Sequence, residues 1–301
     1  MTSEQLSAAA AGTWQLGDLI VNRMGLGSMR LTQSGPAFAD TAAPSDRATA
    51  ITVLRQAVEF GVNHIDTAAF YFSALRSANE LINTALAPYP DDLVIVTKVG
   101  PGRDTWGSWT DAARPDQLRG QVEENLRQLG RDHLDVVNYR RQPSVESITD
   151  HFGALADLRD AGLIRHLGIS GVGPEHLAEA QAIAPVVCVQ NAYSMVDQRP
   201  ESRELIRACG GQGIAFVPFF AIAGTGRHGG PVADGPEQLT AVAREHGATA
   251  AQIRLAWTLH QGPHVLAIPG TGNPDHLVEN VAAGAIRLSD DELTRLARIT
   301  C

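Results

Sequence analysis

What most limits the folds open to this chain is an alternation sustained along it. Short apolar runs rich in Val and Ile take turns with longer amphipathic ones. The apolar runs are Asn22–Gly27, Val62–Asp66, Val94–Lys98, Leu134–Tyr139, Arg165–Ser170, Val186–Gln190, Ile214–Phe219 and Val265–Pro269. Their shortness and near-continuous hydrophobicity suit parallel strands buried on both faces. Ser45–Phe60, Pro115–Leu129, Ser147–Ala161, Pro174–Ile183, Glu201–Ala208, Pro236–His246, Thr249–His260, Pro274–Ala283 and Ser289–Ile299 carry helix patterns. Several open on Ser, Thr or Pro, and Gly61, Gly130 and Gly162 stand where a helix C-cap favours glycine. Eight strand–helix units in about 300 residues predict a (β/α)8 TIM barrel filling residues 1–301 as one domain. Residues 13–21 predict a short N-terminal hairpin before it. A doubly wound sheet is the second choice. It wants a glycine-rich phosphate loop after an early strand, whereas Gly25-Leu-Gly27 lacks the third glycine and no helix pattern follows directly.

Composition narrows the function classes. The formal charge is −9 and no basic block occurs, which argues against nucleic acid as a partner. No apolar run is long enough for a membrane span. The alanine run near the N-terminus lacks a basic flank and a long apolar core, so it does not read as a signal peptide. Cys188, Cys209 and Cys301 are too few and too scattered for a disulfide framework or a structural zinc site. These features predict a cytoplasmic protein acting on a small molecule without a metal. The oligomeric state is left open.

In a barrel, chemistry sits at the C-terminal ends of the strands. Those ends supply Asp66 with Tyr71 just beyond it, Lys98, the Asn138-Tyr139-Arg140 run, Ser170, Gln190 and Phe219. Lys98 is the only lysine among 24 basic residues. An amine can shift its pKa where a guanidinium cannot, which is the preferred reading; drift of lysine codons to arginine in a GC-rich genome is the plainer alternative. Asp, Tyr and Lys at one rim form a proton-donor kit. A nearby ammonium is expected to lower the phenol's pKa, and the carboxylate to hold the ammonium charged. His64, in an apolar run, reads as a packed core residue, and Cys188 as an inert buried thiol.

The runs His64-Ile-Asp66-Thr-Ala-Ala-Phe-Tyr71, Val96-Thr-Lys98, Leu134-Asp135, Gly168-Ile-Ser170 and Ile268-Pro-Gly-Thr271 stand in order along the chain. Together they resemble the aldo-keto reductase superfamily over essentially its whole length. The Val-Val-Asn-x-Arg arrangement, Asp91-Asp92-Leu93, Val187-Cys-Val-Gln190-Asn191 and Val217-Pro-Phe-Phe220 are similar to a bacterial subgroup resembling pyridoxal reductase. The resemblance implies a barrel that moves hydride from a nicotinamide dinucleotide to an aldehyde or ketone. It makes Tyr71 the general acid, with Asp66 and Lys98 as its tuning pair. Arg140 stands where the family usually has His: it can polarise an oxygen but cannot relay a proton.

The resemblance also implies the cofactor contacts. Ser170 and Gln190 would bond the nicotinamide carboxamide, and Phe219 would stack on the ring. Gly224 and Arg227 would wrap the pyrophosphate. Thr271 and His276 would lie along the adenosine phosphate, with Glu279 and Asn280 at the adenine. Gly171 replaces the family's usual Asn after Ser170. Gly270 and His276 replace cations that NADPH-preferring members often carry. NADP(H) is the expected cofactor, with NAD(H) as the alternative. The substrate-pocket expectation comprises Phe72, where the family usually has Gly, together with Trp106, Trp109 and Tyr139. Two other functions remain: a Schiff-base lyase using Lys98, and a relative that binds cofactor without turnover.

Overall fold

In the computed structural model, the described residues are 6–35, 38, 42–222 and 236–299. Strands β1 (Thr13–Leu16) and β2 (Leu19–Asn22) form the expected hairpin around Gly17-Asp18. The barrel elements then run β3 (Leu26–Gly27), α1 (Arg47–Glu59) and β4 (His64–Asp66). A small ribbon, β5 (Phe72–Ser73) with β6 (Arg76–Ser77), leads to α2 (Ala78–Leu86). There follow β7 (Val94–Val99), α3 (Leu118–Leu129), β8 (Leu134–Arg140), α4 (Thr149–Asp160), β9 (Ile164–Ser170), α5 (Pro174–Gln181), β10 (Val186–Gln190), α6 (Pro200–Gly211) and β11 (Ala215–Phe216). Helices α7 (Glu237–Glu245), α8 (Ala250–Leu259), α9 (Pro274–Ala282) and α10 (Asp290–Ala297) complete the order.

Seven strands form one parallel sheet in the order β11-β10-β9-β8-β7-β4-β3. The eighth expected strand, Val265–Pro269, pairs with both edges through the bridges Phe216↔Val265 and Met24↔Ala267, which close the sheet on itself. Gly27 and Gly270 bridge at this seam. A Cβ on Gly27 would meet the Ile268 carbonyl at 2.7 Å, so only glycine lets the two edges approach there.

The first expected strand divides: Asn22 ends the hairpin, and the barrel strand starts at Leu26. Helix α2 was not among the sequence expectations, yet it has a start signal: Ser77 caps it by accepting from the Glu80 amide. Among the described residues no helix is long and apolar enough to cross a membrane.

Side chains alternate between two cores. Val94, Val96, Val136, Cys188, Ala215, Val217 and Leu266 fill the barrel, closed from below by Leu16 and Val21 of the hairpin. Ile65, Ile95, Val137, Tyr139, Leu167, Ile169 and Val189 face the helices. This period of two decides which residues at each strand end point inward.

Candidate active site

The inward file continues to the rim. Following Val94 and Val96 it delivers Lys98, following Val136 it delivers Asn138 and Arg140, and Cys188 is followed by Gln190. Ladder register sets Lys98 beside Asn138, Arg140 beside Ser170, and Ser170 beside Gln190. A cavity of about 620 Å³ opens above them, lined among others by Asp66, Tyr71, Lys98, Arg140, Gln190 and Phe219. Both non-glycine residues with left-handed backbone among the described residues, Phe38 (φ 61°) and Phe220 (φ 65°), also line it. Such strain collects at functional sites.

Lys98 Nζ donates to Asp66 Oδ1 at 2.6 Å and to the Thr67 carbonyl at 3.0 Å, and both charged side chains are almost fully buried. The second Asp66 oxygen accepts from Gln190 Nε2 at 2.8 Å. The ammonium lies 4.9 Å from the Tyr71 ring centre. Burial pulls the Lys98 amine down, but Asp66 and Tyr71 outweigh it and the amine titrates above its ordinary value. The Tyr71 phenol is raised rather than lowered, a correction to the expectation. Burial dominates and keeps the proton on, while Lys98 and Arg140 pull the other way without prevailing. A protonated phenol beside a fixed ammonium is equipped to donate a proton.

Arg140 reaches into the cavity. Its Nη1 donates to Ser170 Oγ at 3.0 Å and its guanidinium carbon lies 4.6 Å from the Phe219 ring centre. Burial lowers the guanidinium pKa. Gly171 flanks it in left-handed backbone, φ +69°, which favours glycine there; a Cβ would make ordinary contact with Arg140 Nη1 at 3.4 Å and lie 3.1 Å from the Arg141 carbonyl. Asn191 Oδ1 accepts from the Gly171 and Val172 amides at 2.9 and 3.1 Å, which pins this turn.

Thr271, His276, Glu279 and Asn280 line the far end of the cavity at the start of α9, whereas Gly224 and Arg227 lie outside the described residues. Of the four expected pocket residues, Trp109 lines the cavity and three do not. Trp106 is 86% exposed. Phe72 lies under Arg103, whose guanidinium carbon is 4.4 Å from its ring centre, and faces a neighbouring cavity. Tyr139, on the odd parity of β8, points out of the barrel and stacks on His151 at 4.9 Å. Sequence reasoning missed Arg30, Phe38 and Phe70 in the cavity wall. Arg30 follows the end of β3, where the strand-end rule had a signal to offer.

His64 and Cys188 behave as expected of core residues. Burial drives the His64 imidazole down to about 4, keeping it neutral, and pushes the Cys188 thiol up to about 12.

Residues 23–300 match the family described as the Aldo/keto reductase family. Pyridoxine 4-dehydrogenase of Escherichia coli (strain K12) is 42% identical over 297 residues, covering 97% of this chain and 99% of that protein. A thermostable aldo-keto reductase solved with the inhibitor epalrestat superposes with a TM-score of 0.78 at 30% identity, over 95% of this chain and 98% of that one. An aldo/keto reductase from Klebsiella pneumoniae in complex with NADP and acetate gives 0.74 at 26% identity, over 93% and 91%. With the barrel, the buried Asp66–Lys98 pair and the Tyr71 phenol already in place, these likenesses show that the chain belongs to the aldo/keto reductase family and is an oxidoreductase.

Proposed function

We propose that the protein reduces an aldehyde or ketone at the expense of NADPH, with Tyr71 as proton donor and a pyridoxal-like aldehyde as the leading substrate. One observation carries the reading: a protonated phenol, a charge-compensated ammonium and an aromatic-walled cavity converge at the barrel rim.

The chain's residues fit a nicotinamide dinucleotide. Gln190 Oε1 is buried and has no hydrogen-bond partner, which suits the N–H of a carboxamide. The Phe219 ring offers a flat apolar face. At the other end of the cavity, Thr271 and the α9 N-terminus suit phosphate. Arg30 lies beside Gly270, its Cγ 3.7 Å from where a Cβ would sit, and its Nη1 donates to the Gly35 carbonyl. It would offer a cation to the 2′-phosphate of NADP(H) beside Gly270, in place of the cations absent at Gly270 and His276. When bound, reduced nicotinamide supplies hydride to the carbonyl carbon. Tyr71 passes its phenolic proton to the carbonyl oxygen. Lys98, held by Asp66 and the Thr67 carbonyl, stabilises the phenolate left behind, and Arg140 stabilises charge on the reacting oxygen.

The relative named pyridoxine 4-dehydrogenase supports the substrate choice, and the relative solved with NADP supports the cofactor. The same ion pair speaks against the Schiff-base alternative, because Asp66 keeps the Lys98 amine protonated and non-nucleophilic. Arg140, a permanent cation that cannot relay a proton, is what favours a cofactor-binding relative without turnover.

Titration of the purified protein with NADPH and with NADH, followed by tryptophan quenching and then by pyridoxal reduction, tests the reading. Tight NADPH binding with pyridoxal turnover supports it. Binding without turnover across a carbonyl panel supports the non-catalytic relative, and failure to bind either nucleotide overturns both.

A further inference from the structure

The charges around the cavity do not balance. Asp66 and Lys98 neutralise each other at 2.6 Å. Arg140 makes no ion pair among the described residues; the polar partner found for it is the neutral Ser170 hydroxyl, at 3.0 Å. A guanidinium carries five N–H donors in a planar fork, and a charge withdrawn from water is costly unless an opposite charge meets it. The inner end of the cavity therefore holds one uncompensated positive charge within the walls that receive the substrate.

Its setting is built. The parity of β8 aims Arg140 inward, and Gly171, in left-handed backbone, turns the chain beside Nη1. The guanidinium carbon stands 4.6 Å from the Phe219 ring centre, a cation–π contact that helps hold it in place. Phe38, Phe70, Trp109 and Phe219 give the same cavity flat apolar walls. The opening thus suits a planar ring carrying an anionic oxygen. A planar fork is matched best by two oxygens side by side.

We propose that Arg140 is a substrate-anion receptor: it grips an ionised oxygen placed beside the reacting carbonyl oxygen, and so selects aromatic aldehydes with an ortho hydroxyl. The inference rests on the reductase reading and deepens it. An ionised ortho oxygen feeds electrons into the ring and makes the carbonyl carbon a poorer hydride acceptor. Pairing with Arg140 withdraws that density again, so one contact both anchors the substrate and restores its reactivity. The adjacent carboxylate of an α-keto acid presents the same pair of oxygens and is the other source of this chemistry.

The test compares salicylaldehyde, 2-methoxybenzaldehyde, benzaldehyde and phenylglyoxylate on the wild type, Arg140→Met and Arg140→Gln. Nucleotide binding by tryptophan quenching certifies that each variant is folded. Every rate should fall in the variants, since Arg140 also lies at the reacting oxygen. The loss in kcat/KM should be about tenfold to a hundredfold larger for salicylaldehyde than for benzaldehyde or the methoxy compound, the scale of a hydrogen bond to a charged group. If phenylglyoxylate shows the larger Arg140-dependent preference, the receptor stands and its anion is a carboxylate. Equal losses on all four compounds overturn the proposal and leave the reductase reading intact. A second readout needs no turnover: salicylaldehyde mixed with the wild type below its own pKa should show the phenolate absorbance band, and Arg140→Met should not. Absence of the band in both overturns the proposal, whereas failure of all four compounds to turn over bears on the reductase reading alone.

Discussion

Removing the Lys98 ammonium tests whether the centre of the site is a buried ion pair or a solvated one. Lys98→Met keeps the length of the side chain and deletes its charge. The Asp66 carboxylate, about 5% exposed, would then keep Gln190 Nε2 at 2.8 Å as its described donor, and its other oxygen would face the space the amine left. Breaking one side of a buried pair costs about 3–5 kcal/mol, because the remaining charge is left uncompensated. In a chain of this size each kcal/mol moves Tm by roughly 2 °C, so Lys98→Met should melt roughly 6–10 °C below the wild type at neutral pH. Asp66→Asn should cost a similar amount. The Asp66→Asn/Lys98→Met double variant should lose less than the two singles together, by about 0.5–3 kcal/mol in urea unfolding. The sign against pH is fixed as well. A raised amine pKa stabilises the fold below the unfolded amine value near ~10.4 and loses that contribution as pH climbs through the higher folded value. A Lys98→Met protein melting within about 2 °C of the wild type would refute the burial argument. It would also reopen Lys98 as a neutral nucleophile.

Four further outcomes follow from the same geometry. Tyr71→Phe should lower kcat by about a hundredfold or more, the range of general acid catalysis, while NADPH affinity by quenching changes little; equal loss of both would remove Tyr71 from the acid role. The rate of carbonyl reduction should be flat through neutral pH and fall only above the ordinary phenol value, because burial raises Tyr71; a fall centred below that value would reverse the assignment, and in Lys98→Met the limb should move higher still, since Lys98 pulls this phenol down. Arg30→Gln should weaken NADPH binding by about tenfold or more, the worth of one charge-assisted contact, and leave NADH nearly unaffected; a parallel loss of both would place Arg30 on the pyrophosphate rather than the 2′-phosphate. Gly171→Asn should depress turnover by crowding Arg140, and Arg140→His should relieve part of that loss; a fully active Gly171→Asn protein would show that Arg140 does not need the space.

The barrel was legible because its signal repeats. Any one run of four or five apolar residues is ambiguous between strand and helix, but their sustained alternation with capped helical stretches is not. What failed was local. The stretch Asn22–Gly27 begins on the last residue of β2 and ends on β3, and apolar content alone does not show where the hairpin hands over to the barrel. Helix α2 is only nine residues long. It includes Asn79, Asn83 and Thr84, all weak helix formers, yet Ala78, Leu81, Ile82, Ala85 and Leu86 recur at helical spacing on its buried face, so both that pattern and the capping serine were there to be read. Between the two tryptophans of the loop after β7, the sequence has no means of choosing. The choice is made by a turn in which Asp104 Oδ1 accepts from the Trp106 and Ser108 amides at 3.0 and 2.9 Å, and Gly107 takes φ +90°. That turn throws Trp106 outward and leaves Trp109 against Phe38 and Phe70, with ring centres 5.2 and 5.7 Å away.

Within the site, parity was the rule available and only partly used. Counting by two from Val94 reaches Lys98, and from Val136 reaches Arg140; the same count sends Tyr139 to the helix side, so its pocket assignment was avoidable. Phe72 was not avoidable, since it is turned aside by Arg103, a contact 31 residues distant that also binds the Phe72 carbonyl at 2.6 Å. The direction of the Tyr71 shift was missed for a different reason. Charges can be counted along a sequence, but desolvation depends on how tightly the assembled rim closes over the phenol. Gly171 and Arg140 show how two apparent departures become one feature in space. Read separately, the first removes an expected side chain and the second replaces a proton relay with a permanent cation. In the fold they are in contact range: the left-handed turn at Gly171 runs beside the guanidinium that stands at the end of β8. Treating them as independent losses points toward a decayed enzyme, whereas treating them as one substitution points toward a site adapted to an anionic substrate.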